Sequence, residues 1–398
     1  MISAILFDLD DTLLESDIDR FLPAYIKSLG KFMASNLDPA RLTKALMAGT
    51  QSMLDNSDPE ITLQQAFDSV FFPMVGLDRA RLASDFETFY RERYPLLADL
   101  TRRMELAPRV VECAFARRWK VVVATNPLFP LAAAEQRLAW AGIDPVGTPF
   151  DLVTSYETMH FAKPRPEFVA EVLARIVAQP AEAVFVGNDP SEDIAPARAL
   201  GLASYRVLRD SDPAMKAESG EGTLAELAAS LAADSGDPEI FLASETSPCA
   251  LPALLSGHLG AILHFFSLSD WPSCPAEEGW GPVEIACHLR DVEREITQPR
   301  LKKMVAEDNP YLPAVESDQW AEERNYRSQN GPAALAEFTR ARKETIARLR
   351  DLSPADWQRP GRHALFGPTT LAEQAQFSAR HDLLHIEQLQ GALAVCGK

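Results

Sequence analysis

The stretch FDLDDTL, Phe7–Leu13, stands where an apolar run that begins at Ile2 gives way to three carboxylates and a threonine. A buried parallel strand has this composition, and such sheets place their reactive groups at the C-terminal strand ends. A single aspartate there is more often a cap on the next helix. Asp8 and Asp10 can instead lie on the same side of the strand, because side chains alternate with a period of two. The stretch therefore predicts a capped turn or a catalytic site, and the choice depends on whether later segments supply partners.

Residues 15–100 predict a helical insertion without a strand pattern. Apolar residues recur there at spacings of three and four, as in Phe21, Tyr25, Leu29 and Phe32. Because the insertion follows the acidic turn at once, it must lie over the C-terminal edge of the sheet, and we expect it to be a cap. The expected helices are Ile18–Phe32, Pro39–Leu54, Leu63–Val75 and Leu82–Tyr94.

From Trp119 onward, apolar strands alternate with amphipathic helices. This alternation is typical of an α/β fold with a doubly wound parallel sheet, whose ligands lie at the C-terminal ends of the strands. Asp8, Thr125 and Asp189 all fall at such ends. The expected strands are Lys120–Ala124, Phe150–Thr154, Ala183–Gly187 and Ala203–Leu208, and the expected helices are 131–141, 166–177, 194–200 and one that follows the capping box at Thr223.

A polar break at Asp234–Pro238 predicts the domain boundary. We expect a first domain at 1–233, a linker at 234–248 and a second domain at 249–398. Beyond the break no strand pattern is visible, and four long helical stretches predict an all-α four-helix bundle. The expected helices are 249–268, 282–307, 331–351 and 370–394.

Composition limits the possible partners. Of 398 residues, 46% are hydrophobic and 24% charged, and the formal net charge of −18 without a basic cluster argues against nucleic acid. We expect no apolar stretch of the roughly 18 residues that a membrane span needs and no signal peptide, hence a cytoplasmic protein without a membrane partner. The five cysteines are odd in number and lack CxxC spacing, which argues against a disulfide framework and a cysteine metal site.

The later segments supply the partners that the first stretch requires. Each candidate follows an apolar strand or lies in the loop after it, so a parallel sheet would gather them along one edge. Together with the insertion after the first motif, they resemble the haloacid dehalogenase-like hydrolase superfamily over residues 1–233. The candidates are Asp8, Asp10, Thr125, Lys163, Asp189 and Asp193.

This resemblance implies a Mg²⁺-dependent phosphatase that acts on a small phosphomonoester. Asp8 is the expected nucleophile, which forms an aspartyl-phosphate, and Asp10 is the expected general acid and base. Thr125 and Asn126 are expected to bind the phosphoryl oxygens, and Lys163 to orient the nucleophile and balance its charge. Two like charges about 4 Å apart repel by roughly 4 kcal/mol at an effective dielectric near 20, so cations must offset them. Family members that break carbon–halogen bonds differ at the position of Asp10, which favours phosphoryl transfer.

The fourth motif leaves two registers open. The family places an acid directly after the glycine, whereas Gly187 is followed by Asn188 and only then by Asp189. In one register Asp189 binds the metal and Asp193 supports it. In the other, Asn188 takes the ligand position and Mg²⁺ affinity is doubtful. An anionic ligand suits Mg²⁺ better than an amide, which favours Asp189. The expected Mg²⁺ ligands are Asp8, Asp10, Asp189 and Asp193.

Three histidines predict a second metal site. His381 and His385 are spaced i, i+4 and share a helix face, which suits two ligands of one ion. His288 can reach the bundle interior, although such a histidine alone is more often a core residue. With the stretch Trp280–Leu289, the set resembles the DinB-like superfamily of metal-binding four-helix bundles over residues 249–395. The resemblance implies a three-histidine site for Zn²⁺, Ni²⁺ or another divalent metal, and some members are thiol-dependent S-transferases.

Two functions therefore compete. In the first, the phosphatase carries the main activity and takes a small phosphorylated metabolite as substrate. In the second, the bundle carries it as a metal-dependent S-transferase or as a metal or thiol sensor, with a low-molecular-weight thiol as partner. The identity of the substrate and the oligomeric state do not follow from the sequence.

Overall fold

The computed structural model describes residues 1–209, 220–233, 236–245, 247–269, 271 and 279–395. The chain divides into two compact units, Met1–Thr246 and Ser247–Lys398. The first unit is an α/β domain with a helical cap, and the second is a helical bundle that carries a small sheet. The predicted fold class is thus confirmed.

Among its described residues the first unit has eight strands: β1 (Ala4–Phe7), β2 (Leu14–Ser16), β3 (Thr101–Arg103), β4 (Lys120–Val123), β5 (Leu152–Val153), β6 (Ala183–Gly187), β7 (Ala203–Val207) and β8 (Glu221–Gly222). Six of them form a parallel sheet in the order β5-β4-β1-β6-β7-β8. Every residue of β1 is fully buried, as expected of a central strand covered on both faces. Because β4 and β6 flank β1 in parallel, the carboxyl ends of these three strands meet at one edge.

The predicted cap consists of four helices, which are α1 (Ile18–Met33), α2 (Pro39–Asp55), α3 (Leu63–Val75) and α4 (Arg79–Glu92). Each begins at a side-chain cap, and Asp17, Asp38, Thr62 and Asp78 accept a hydrogen bond from the backbone N–H three residues on. The observed bounds lie within three residues of the predicted ones. The antiparallel pair β2–β3, which the sequence did not predict, joins the two ends of the insertion.

The described part of the first unit has five further helices: α5 (Ala107–Ala116), α6 (Leu131–Trp140), α7 (Pro166–Arg175), α8 (Ala195–Leu200) and α9 (Leu224–Ala232). The boundary of this unit lies near residue 246, beyond the predicted 233. Phe241 packs into the core of the sheet and Leu242 pairs with Ser204, so 236–245 do not form a free linker. Asp234 and Ser235 of the predicted linker lie outside the described residues.

The second unit has six helices in the described part of the chain: α10 (Leu251–Ser267), α11 (Pro282–Val292), α12 (Gln298–Ala306), α13 (Trp320–Glu323), α14 (Gly331–Arg350) and α15 (Leu371–Val395). A π-helical turn, Glu293–Thr297, joins α11 to α12, so that the two form one long segment. With α10, α14 and α15 this gives the predicted bundle of four long segments, each within two residues of its expected bounds.

Two expectations about the second unit are wrong. A small sheet is present after all, in the order β11-β10-β9, with β9 at Tyr311–Leu312, β10 at Pro360–His363 and β11 at Gly367–Thr370. Among the residues that the structure describes, one helix, Pro248–Ser267, is also long and apolar enough to cross a membrane by length and composition. In the structure 83% of its most apolar 18-residue stretch is buried, as expected of a core helix in a bundle. The cytoplasmic location stays a prediction.

Candidate active site and metal centre

The carboxyl edge of the sheet gathers the predicted catalytic residues. Asp8 directly follows β1, Thr125 lies two residues beyond β4, and Asn188 directly follows β6. A cavity of about 1110 Å³ opens over this edge and beneath the cap. All the site residues predicted for the first unit line it, namely Asp8, Asp10, Thr125, Asn126, Lys163, Asp189 and Asp193.

Lys163 connects two strand ends through its ammonium group. Its Nζ lies 2.6 Å from Asp8 Oδ1 and 2.6 Å from Asp193 Oδ1, and all three side chains are buried. The loop that carries the lysine is itself held in place. Glu171, fully buried on α7, accepts the His160 N–H at 3.0 Å and lies 2.7 Å from His160 Nδ1. The lysine is therefore fixed between the two carboxylates.

The cluster carries more negative than positive charge. Burial raises the pKa of Asp8 to about 7, and Asp193 and Asp10 add to the rise while Lys163 opposes it. Burial disfavours the charge on Lys163, but Asp8 and Asp193 outweigh it and raise the pKa of the lysine. Asp8 and Asp193 share one ammonium and Asp189 lines the same cavity, so the cluster has a surplus of negative charge when these carboxylates are ionised. Oxygen ligands with this surplus fit a divalent cation such as Mg²⁺.

Asp10 has a charged partner that the sequence did not reveal. Its carboxylate forms an ion pair with Arg137, a buried residue of α6, and accepts a hydrogen bond from Ser16 Oγ at 2.8 Å. The rings of Phe21 and Phe129 lie 5.4 and 5.5 Å from the guanidinium carbon. These contacts fix Asp10 near Asp8, but the two carboxylates pair with different cations, Asp10 with Arg137 and Asp8 with Lys163.

The turn after β6 gives Asn188 and Asp189 different tasks. Thr12 Oγ1 lies 3.2 Å from Asp8 Oδ2 and 3.3 Å from Asn188 Oδ1, so the amide sits beside the nucleophile position. Asp189 Oδ1 caps the π-helical turn Pro190–Ile194 and accepts hydrogen bonds from Ser191 and Glu192. Among the described contacts Asp189 Oδ2 has no partner, while the residue lines the cavity. Both side chains can thus offer an oxygen to a cation.

Thr125 and Asn126 are held by their backbone neighbours. Thr154 Oγ1 donates to the Thr125 carbonyl at 2.6 Å, which fixes the turn after β4. Asn126 Oδ1 accepts the Lys163 N–H at 3.3 Å and so ties this turn to the lysine loop. The structure thereby brings together every residue that the sequence proposed for this site. It adds Thr12, Ser16 and Arg137.

The second unit holds a compact histidine cluster. The Nε2 atom of His381 lies 3.1 Å from that of His288 and 3.1 Å from that of His385. The candidate ligand atoms of the three all lie within 4.8 Å of one another. The Trp280 ring stacks on His385, with centroids 5.9 Å apart and an interplanar angle of 3°. The predicted histidines therefore converge on one point.

Geometry and protonation both suit a metal ion here. Two nitrogens bound about 2.1 Å from one ion at angles of roughly 90–110° are about 3.0–3.4 Å apart, and the two distances of 3.1 Å from His381 Nε2 fall in this range. Burial and the neighbouring histidines lower the pKa of His288 to about 2 and that of His381 to about 3, so both are neutral at pH 7. Gln388 Oε1 lies 2.8 Å from His385 Nδ1, and donation by that Nδ1–H leaves Nε2 free to bind.

Asp382, next to the candidate ligand His381, belongs to a network of buried ion pairs. It is fully buried and forms a two-pronged ion pair with Arg342, whose Nη2 lies 3.0 Å from Oδ1. Arg342 Nε also donates to Glu293 Oε2 at 2.9 Å, and His258 Nδ1 lies 3.5 Å from Asp382. This buried network joins α10, the π-helical turn, α14 and α15 directly behind the histidines.

Both units match known families. The family model for haloacid dehalogenase-like hydrolases matches residues 2–201, and that for the DinB superfamily matches residues 257–389. A protein of Oceanobacillus iheyensis, named provisionally as a metal-dependent hydrolase, is 30% identical over 116 residues. That match covers 28% of this chain and 65% of the relative, so the chain spans just under two thirds of its length.

Solved structures resemble each unit. A HAD phosphatase from Thermococcus onnurineus is 22% identical, with 57% of this chain and 96% of that chain covered and a TM-score of 0.36. The 2-haloacid dehalogenase from Pseudomonas syringae is also 22% identical, with 57% of this chain and 96% of that chain covered and a TM-score of 0.40. YfiT from Bacillus subtilis is described as a probable metal-dependent hydrolase with an unusual four-helix bundle topology. It is 16% identical, with 42% of this chain and 92% of that chain covered and a TM-score of 0.35. By the family matches, the chain belongs to the haloacid dehalogenase-like hydrolases, and residues 257–389 of its second unit are similar to the DinB superfamily.

Proposed function

We propose that the first unit is a Mg²⁺-dependent phosphatase that hydrolyses a phosphomonoester of a small phosphorylated metabolite through an aspartyl-phosphate at Asp8. The observation that carries this proposal is the buried Asp8–Lys163–Asp193 cluster with Asp10 beside it on a separate cation. Two carboxylates with separate charge partners can take different roles, one as nucleophile and one as acid and base.

In the first step, an Asp8 carboxylate oxygen attacks phosphorus and the bond from phosphorus to the alcohol oxygen breaks. Lys163 holds Asp8 Oδ1 at 2.6 Å and so fixes the direction of attack. Asp10 gives a proton to the leaving oxygen, and Arg137 shares the charge that remains on Asp10. Thr125 and Asn126 bind the phosphoryl oxygens from the neighbouring strand end.

In the second step, water attacks the phosphorus of the aspartyl-phosphate while Asp10 takes its proton. Inorganic phosphate leaves and Asp8 is regenerated as a carboxylate. Asp8, Asp189 Oδ2 and the Asn188 amide oxygen are the oxygens that would hold Mg²⁺, with Asp10 and Asp193 nearby. The ion would supply the positive charge that lets one anion approach another.

Removal of divalent metal should abolish this activity. We expect the full chain to release phosphate from an aryl phosphate in the presence of Mg²⁺, and exhaustive chelation to lower the rate by about 100-fold or more. Addition of Mg²⁺ alone should restore it, which separates this site from a transition metal in the bundle. Phosphate release that survives chelation, or none with any ester, contradicts the proposal.

A second function is favoured by the histidine cluster of the other unit. We infer that His288, His381 and His385 bind one divalent transition ion, Zn²⁺ or Ni²⁺, and leave coordination positions open. A separate cavity of about 350 Å³ reaches His381 and is also lined by Arg300 and Ser378. A low-molecular-weight thiol could enter there and bind as a thiolate. The bundle would then act as an S-transferase or as a sensor.

Replacing two of the three ligands tests the metal site. Purified protein should contain about one transition ion per chain, and His381→Ala with His385→Ala should reduce this to less than about a tenth. Elemental analysis after dialysis measures the content. His264→Ala, which changes a histidine of α10 outside the cluster, is the matched control and should keep the ion. Retention of the ion in the double variant contradicts the site. The double variant should also keep its Mg²⁺-dependent phosphatase activity.

A further inference from the structure

The cavity over Asp8 is much larger than a phosphate group requires. Pockets for drug-sized ligands have volumes of about 300–1,000 Å³, and this one measures about 1110 Å³. The reacting groups, Asp8, Lys163 and Asp193, lie at its sheet end. The rest of the space lies against the cap helices, which contribute lining residues from α1, α2, α3 and α4. The cap therefore surrounds the part of a substrate that is not phosphate.

Helix α1 carries a second apolar stripe beside the one that is buried, and Leu22 and Ile26 of this second stripe pack only partly against the core of the cap. Phe21, Tyr25 and Leu29 form the stripe that is buried in the core of the cap. A second stripe of the same helix, spaced i, i+4, i+8, consists of Ile18, Leu22 and Ile26 and lines the cavity. Its members are half-buried or exposed, which is unfavourable for apolar side chains in water.

Aromatic rings continue this surface around the cavity. Phe67 and Phe72 on α3 and Phe86 on α4 line it, and each is only half-buried. Met47 on α2 also lines it and is 53% exposed. An occupant with alkyl or aryl groups would remove these surfaces from water, whereas a sugar would bring hydroxyl groups that apolar walls leave without partners.

The charges of the lining disfavour a second anionic group. The lining contains ten carboxylates and four cations. Each cation already has a carboxylate partner: Arg79 pairs with Asp68, Arg91 with Glu92, Arg137 with Asp10, and Lys163 with Asp8 and Asp193. One Mg²⁺ would have to offset both the carboxylates that hold it and the phosphate itself, so a further phosphate or carboxylate would meet net repulsion.

We propose that the substrate is the phosphate monoester of a bulky, uncharged and largely apolar alcohol, with an alkyl or aryl group against Ile18, Leu22 and Ile26. This inference rests on the proposed phosphatase activity and names the substrate class of the same site.

A series of alkyl phosphates tests the inference. With the full chain and Mg²⁺, kcat/KM should rise about threefold per methylene, or roughly 50- to 200-fold from ethyl phosphate to hexyl phosphate, mainly through KM. Glucose 6-phosphate, of similar size to the hexyl ester, should lie at least about tenfold below it. A phosphorylated hydroxy acid should be poorer than its uncharged analogue.

Variants of the lining localise the effect. Ile18 is 52% exposed, so Ile18→Ser and Met47→Ser should fold normally and lower the hexyl-to-ethyl ratio of kcat/KM by about fivefold or more. Leu96→Ser is the matched control, since Leu96 is a 67% exposed residue of the first unit that does not line the cavity. It should leave the ratio unchanged.

The outcomes separate this inference from the function beneath it. Three results would overturn the inference and leave the phosphatase activity standing. These are a kcat/KM that does not change with chain length, a preference for glucose 6-phosphate, and a hexyl-to-ethyl ratio that Ile18→Ser and Met47→Ser do not change. Failure to hydrolyse any ester, a generic aryl phosphate included, overturns the phosphatase and the inference with it. The inference is supported if kcat/KM rises with chain length, if Ile18→Ser and Met47→Ser reduce this rise, and if Leu96→Ser leaves it unchanged.

Discussion

Asp8→Asn should lower the hydrolysis of an aryl phosphate by on the order of 10⁴-fold or more, because the amide cannot act as the nucleophile that forms an acyl phosphate. The amide oxygen can still accept a hydrogen bond from Lys163, which also keeps its partner Asp193 at 2.6 Å. The site should therefore stay assembled while the reaction stops. The measurement is kcat with saturating Mg²⁺, together with a thermal melt that checks folding.

Asp17→Asn is the control for this substitution. Asp17 is an exposed residue that caps α1 by accepting the Arg20 N–H, and asparagine caps a helix equally well. We expect its activity to lie within about twofold of the unchanged protein. Full activity in Asp8→Asn would exclude the nucleophile role and with it the aspartyl-phosphate route. Loss of activity in both variants would point to a general disturbance of the cap.

Local signals explain why most elements could be predicted. β6 and α3 have the predicted bounds because an apolar run ends at a polar turn in one, and Thr62 caps the start and Gly76 the end in the other. Gly76 takes φ 72°, a conformation that favours glycine. The strands β9–β11 were not predicted because they are only two to four residues long, and β10 and β11 also contain proline and glycine. Such segments have too few residues to show a period.

The candidate site was predictable in its members but not in its pairings. Lys163 meets Asp8 across 155 residues of chain, and only the assembled sheet brings them together. Arg137 lies on an amphipathic helix, where an arginine normally indicates a solvated face. Its burial against Asp10 depends on the cap and has no signal in the sequence. The orientation of Asn188 and Asp189 likewise depends on the π-helical turn that follows them.

The bundle repeats this contrast between spacing and pairing. The i, i+4 spacing of His381 and His385 is a local property, and the structure brings both to His288. Asp382 is a charged residue next to a candidate ligand. It is buried because α15 packs on both of its sides, and Arg342 offsets its charge. A buried pair of this kind depends on another helix, so the residues around Asp382 in the sequence could not predict it.

Arg342→Met should destabilise the bundle by about 3–5 kcal/mol at pH 7, because it leaves Glu293 and Asp382 buried without their shared cation. In the unchanged protein burial alone would raise the pKa of Asp382, but Arg342 lowers it to about 2, so the pair stabilises the fold above pH 4 and loses this effect as the pH falls. The deficit of the variant should accordingly shrink towards acid pH, where the carboxylates take up protons.

Urea unfolding of the full chain, with hydrogen exchange of peptides from α14 and α15, measures that loss in the bundle itself. Arg348→Met is the matched control, because Arg348 is an exposed residue of the same helix, and it should change the free energy of unfolding by less than about 0.5 kcal/mol. The two variants and the unchanged protein should all be compared without metal, since ion binding would stabilise the fold separately. If the two variants have the same free energy of unfolding, the network contributes no net stability. Its role would then be to hold α15 in the position that brings the histidines together.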